Sequence, residues 1–149
     1  VAHVSAATRD PEAVTTPPAI ELIRSADLTD RAPYAYAAVA HDVSLLVFTA
    51  GACPLDAAGS TVAIGDVAAQ AEQVMANLTV ALRAAGAGLT DVVKTTVYVA
   101  SSRQEDLLAA WDVVSRVFGD HDVASTLLGV SVLGYRDQLV EVEAVAALR

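Results

Sequence analysis

The chain has 149 residues, 54% of them hydrophobic and 18% charged, with 9 basic against 18 acidic side chains and a net charge of −9. That is the size of one compact domain with enough apolar side chain for a full core, which excludes global disorder. Lys94 is the only lysine and the arginines are scattered singly, so no basic stripe is offered to nucleic acid. The longest apolar stretch, Leu45 to Ala52, is too short to cross a bilayer. With the single thiol Cys53 unable to form an internal disulfide and no charged-then-apolar leader in view, a cytoplasmic protein is expected.

Residues 1–18 mix Ala, Thr, Asp and three prolines without a sustained period and read as a flexible arm, leaving 19–149 as a single domain. Ile20 to Ala26 reads as a short strand, and a turn-prone stretch then leads to Tyr34–His41. Leu45 to Gly51 is nearly all apolar, as a strand covered on both faces would be. Asp66 suits an N-cap, and Val67, Ala71, Val74, Leu78 and Leu82 form the apolar stripe of a helix that Gly86 stops. Asp91 to Val99 alternates as a strand, with Val93, Thr95, Val97 and Val99 on one face and Val92, Lys94, Thr96 and Tyr98 on the other. Ser102-Arg-Gln-Glu105 fits a capping box opening a second helix, with Leu107, Trp111, Val114 and Phe118 on its stripe and Gly119 at its end. Ala124–Leu133 and Gln138–Leu148 read as strands joined by a hairpin at Gly134-Tyr-Arg-Asp137. This order predicts an α+β fold with both helices on one face of the sheet, and self-association to cover the other.

For chemistry, His3, His41 and His121 lie far apart with no Cys or His at ligand spacing, so no metal site is expected. No glycine-rich phosphate loop opens a helix, so no nucleotide cofactor is expected either. Cys53 has no basic neighbour in sequence and reads as an apolar filler. Trp111 reads as core with an edge that could line a pocket. Glu141 and Glu143 stand out because they share one face of the last strand, Cα atoms about 6.8 Å apart. Two carboxylates on one side of an apolar strand suit general acid–base work, since burial and mutual repulsion both favour the neutral acid; a solvated face or an interface ion pair is the plain alternative.

Phe48-Thr-Ala-Gly-Ala-Cys-Pro-Leu-Asp56, Asp91-Val-Val-Lys-Thr-Thr-Val-Tyr-Val99, Ser125-Thr-Leu-Leu-Gly-Val130 and Leu139-Val-Glu-Val-Glu-Ala144 together resemble the Rid family of enamine/imine deaminases, also called YjgF/YER057c/UK114. The resemblance covers roughly residues 34–148. It implies a chorismate-mutase-like α+β subunit, a homotrimer with clefts between subunits, and cofactor-free hydrolysis of 2-enamines and 2-imines to 2-oxo acids and ammonia. By position Glu141 matches the family's water-directing Glu, Gly51 matches its Gly, and a pocket Tyr fits either Tyr34 or Tyr36, with Tyr36 taken as the candidate. Ser125 stands where the family has the Arg that binds the substrate carboxylate, Leu127 where many members have Cys, and Trp111 where typical deaminases have Asn. The implied substrate is therefore a small enamine, imine or related metabolite other than the usual 2-imino acids, in a cleft lined by Trp111, Leu127 and Tyr36. A non-catalytic small-molecule-binding trimer is the alternative. Arg136, or an arginine of a neighbouring subunit, is the candidate replacement for the absent guanidinium.

Overall fold

In the computed structural model, which describes residues 18–149, two helices lie on one face of a four-stranded mixed sheet. The arm expected over 1–18 lies, Pro18 apart, outside the described residues. The elements are β1 (Ile20–Ile23), β2 (Ala37–Ala40), β3 (Leu45–Phe48), α1 (Val67–Ala84), β4 (Val92–Val99), α2 (Gln104–Phe118), β5 (Ser125–Gly129) and β6 (Val140–Leu148). The main sheet runs β3-β6-β4-β5, while β1 and β2 pair as a separate antiparallel ribbon. The ribbon is tied to the end of the sheet by the Arg24–Asp122 ion pair and by Ala35 N–H donating to the Asp122 carbonyl at 2.7 Å.

The core lies between helices and sheet because alternation supplies one apolar strand face and period 3.6 supplies the helix stripes. Val97, Val99, Val140 and Val142 on the strands are fully buried beneath Ala71, Val74, Leu78 and Leu82 of α1 and Ala110 and Val114 of α2. The Asp66 side chain accepts from Ala69 N–H at 2.9 Å, as an N-cap should, and Gly86, at φ +81°, takes the left-handed turn that ends α1.

The structure departs from the sequence reading in four places. The sequence joins the last two strands by a hairpin; in the fold β4 lies between them, pairing parallel with β5 and antiparallel with β6. The parallel pair needs the α2 crossover, and residues 130–139 are an irregular connection. Val92 joins the buried face because a bulge between Val92 and Lys94 shifts the alternation by one. The α2 start is held by Ser101, whose Oγ accepts from Arg103 N–H at 3.0 Å and donates to Asp106 at 2.6 Å, rather than by a Ser102 box. Finally β3 ends at Phe48 and is not covered on both faces: Leu45 is 61% and Phe48 72% exposed in the single protomer.

Candidate functional site

Strand register sets the site. On β6 the residues alternate, so Val140, Val142 and Ala144 enter the core while Glu141, Glu143 and Val145 face away from the helices. Beside β6 the chain leaving β3 does not continue the ladder evenly. Phe48 pairs with Val145 and Ala52 bridges Val142, so residues 49–51 oppose only residues 143 and 144. The extra residue is a bulge, held where Thr49 N–H donates to the Ala144 carbonyl at 3.0 Å and Thr49 Oγ1 accepts from Ala144 N–H at 2.9 Å. It brings Gly51 against the Glu141 side chain. A Cβ on residue 51 would stand 1.8 Å from Glu141 Oε1, so glycine is the residue this approach permits.

Glu141 is half-buried, and its Oε2 has two donors: Gln138 Nε2 at 2.9 Å and the Cys53 thiol at 3.7 Å, whose one proton is shared with the Gly51 carbonyl at 3.5 Å. Neither partner is a cation. Burial, and after it the negative charge of Glu141, push the Cys53 thiol above its ordinary value, so this cysteine is a neutral donor rather than a nucleophile at neutral pH. An open cleft of about 460 Å³ runs along residues 47–53, floored by Asn77, Ala81 and Ala85 of α1 and edged by Tyr135. Asn77 shapes it by donating to the Cys53 and Leu55 carbonyls at 2.8 and 2.9 Å. Glu141 touches the wall of this cleft at Gly51 without lining it.

Glu143 shares the face of Glu141 but has separate partners. Tyr98, directly opposite Glu141 in register, reaches diagonally to donate to Glu143 Oε1 at 2.9 Å, and that hydrogen bond raises the phenol's pKa. Glu143 lines a shallow pocket of about 200 Å³ with Phe48, Lys94 and Thr96. Lys94, lowered by burial, donates to Thr126 Oγ1 at 2.6 Å.

The remaining candidate residues gather elsewhere. Trp111, Ser125 and Leu127 line a pocket of about 400 Å³ between α2 and β5, together with Pro33, Tyr34, Leu108 and Thr126. Tyr34 meets Trp111 edge-on with ring centroids 6.1 Å apart, and Tyr36 packs edge-on against Tyr34 in turn while donating to the Thr29 carbonyl at 2.5 Å. It is Tyr34 that lines this pocket. Ser125 Oγ donates to the Val123 carbonyl at 3.0 Å and lies 2.7 Å from Thr95 Oγ1, so its proton is engaged within the protein. Arg136 meets the rest of the fold through its backbone carbonyl, which accepts from Thr61 Oγ1 at 2.9 Å. Among the described residues no group of three or more His, Cys, Asp or Glu side chains could hold a metal ion.

Residues 25–148 match the family described as Endoribonuclease L-PSP, which is five-sixths of the chain. The chain belongs to the Rid family. It is 36% identical to a RutC family protein of Pyrococcus abyssi over 104 residues, 70% of this chain and 80% of the relative. Identity to the 2-iminobutanoate/2-iminopropanoate deaminase of Salmonella typhimurium is 33% over 126 residues, 81% of this chain and 95% of the relative. The Rid protein YyfB of Yersinia pestis superposes with a TM-score of 0.80 at 29% identity, covering 88% of this chain and all of that one.

For a Rid chain, the division of the candidate residues has a simple geometry. Gly51 and Glu141 lie at the β3–β6 end of the sheet, and Trp111, Ser125 and Leu127 lie at the β5 edge, with β4 between them. One protomer does not bring the two groups together. Sequence reasoning missed Gln138, which is buried at the entry to β6 behind the charged pair Arg136-Asp137, and Gln70, which sits on the buried stripe of α1 where an apolar residue is the norm. Only the Gln70 amide, out of place on an apolar helix stripe, was a signal available in the sequence.

Proposed function

We propose that this chain is a Rid-type hydrolase, acting as a cytoplasmic homotrimer on a small enamine or imine bound between subunits, with Glu141 directing water. The observation that carries the reading is the Glu141 carboxylate packed on Gly51 with Oε2 held by two neutral donors. Neither donor is a cation, so the carboxylate can accept a proton from water. The water oxygen adds to the C=N carbon as Glu141 takes the proton. Glu141 then returns that proton to nitrogen, giving the carbinolamine; its hydroxyl proton is carried by the same carboxylate to the departing nitrogen as the C–N bond breaks, leaving a carbonyl compound and ammonia. No redox equivalent or cofactor enters this balance. The trimer is supported by the apolar, exposed β3 edge and by the two half-sites at opposite ends of the sheet, which a head-to-tail ring would join. A lone free thiol suits a reducing compartment.

The substrate is one without a carboxylate to be clamped. Ser125, where the family resemblance places an Arg, offers a neutral hydroxyl already spent on Val123, and loss of a buried charge-assisted contact costs a carboxylate ligand about 2–5 kcal/mol. The Trp111–Tyr34–Leu127 pocket instead suits a flat, uncharged substituent. The nuclease activity named in the family description is not carried over, because a net charge of −9, one lysine and arginines scattered singly along the chain oppose binding to a phosphate backbone.

The test is ammonia release from enamines generated in situ from serine and from neutral amines. The neutral compounds should turn over faster, and Glu141→Ala should lower the rate about 100-fold or more. No rate above background for any compound, with Glu141→Ala indistinguishable from the parent, retires the hydrolase. A ligand retained through purification without turnover then favours the second reading, a binding trimer, which the engaged Ser125 hydroxyl also suits.

A further inference from the structure

We infer that Gln138 is the positioning residue of Glu141, that it assigns the two carboxylate oxygens different tasks, and that Gln70 of α1 anchors it. The inference rests on Glu141 being the water-directing group. Gln138 is 4% exposed and both polar atoms of its amide are hydrogen-bonded. Nε2 spreads its two N–H groups over Glu141 Oε2 at 2.9 Å, Cys53 Sγ at 3.2 Å and the Val140 carbonyl at 3.2 Å, while Oε1 accepts from Tyr135 N–H at 2.9 Å. Both donors to Glu141, the amide and the Cys53 thiol, fall on Oε2. Oε1 faces Gly51 and is the oxygen left to take the proton from water.

The backbone that delivers Gln138 is itself held under strain. Asp137, at φ +61°, and Ala63, at φ +48°, are both non-glycine residues in the left-handed region. Both of their carbonyls accept from the fully buried Gln70 Nε2, at 2.9 and 3.4 Å, and Gln70 Oε1 accepts from Leu139 N–H at 2.7 Å. One α1 side chain thereby clamps residues 137 and 139 on either side of Gln138. A flexible loop would let the Glu141 carboxylate turn over and exchange its oxygens; this clamp prevents it.

Gln138→Met keeps the volume and removes the amide, whereas Gln138→Glu keeps an oxygen for Tyr135 N–H and can donate only when protonated. Gln138→Met should lower kcat about 10- to 100-fold with little change in KM, by the same factor at every pH. Gln138→Glu should be as poor at pH 8 but regain at least about fivefold relative to the parent by pH 5, as the new acid protonates and restores the hydrogen bond. Parent-like kcat in both variants, or a Gln138→Glu ratio that does not move with pH, overturns the inference. The Gln138 side-chain NH₂ signals in a ¹⁵N–¹H correlation spectrum give a readout that needs no turnover. They should shift on Glu141→Gln substitution at neutral pH, and unchanged signals also overturn the inference. Shifted signals in a parent without hydrolase activity leave the positioning intact and remove only the reading as an enzyme.

Discussion

Cys53 and Glu141 report on one another. The thiol is pushed above its ordinary 9.0 first by burial and next by the Glu141 charge. A raised thiol pKa means its stabilising contribution is complete below the unfolded value and is lost as pH climbs through the folded one, so the effect belongs to the alkaline limb. Alkylation of Cys53 should therefore be slower than that of free cysteine at pH 8, and Glu141→Gln should move the alkylation profile to lower pH. An unmoved profile would separate the two side chains. Glu141 and Gly51 were legible in sequence because strand alternation and the Rid motifs fix them. Gln138 was not, since its reach depends on the left-handed Asp137, a tertiary arrangement that no local pattern encodes.

At the scale of elements, α1 and the part of β4 beyond its bulge, Thr95 to Val99, followed from period alone because each buries one face against the other layer. The N-terminus of α1 is a discrete contributor: Asp66→Ala removes the bond to Ala69 N–H and should cost about 1 kcal/mol in urea unfolding, with the denaturant slope unchanged. The connection between β5 and β6 was misread for a physical reason. Gly134 and Asp137 mark a turn equally well whether the flanking strands pair with each other or with a third, and only the burial of β4 between them decides. The bulge at residues 49–51 was equally hidden, although it is the feature that presses Gly51 onto Glu141.

At the scale of the molecule, the face of the sheet away from the helices carries Glu141, Glu143, Tyr98 and Lys94 beside the apolar Phe48 and Val145. A charged, half-apolar face ending in an exposed apolar edge strand is poorly suited to a solitary protomer. Phe48→Glu should shift the proposed trimer toward monomer in sedimentation equilibrium and abolish turnover with it, while a parent that sediments as a monomer would remove the proposed inter-subunit cleft. The most direct test of the account is the single-turnover rate of imine hydrolysis by Glu141→Gln, which preserves the shape beside Gly51 and removes the base. A fall of about 100-fold or more, with thermal stability close to the parent's, is the predicted result. A rate equal to the parent's would contradict it.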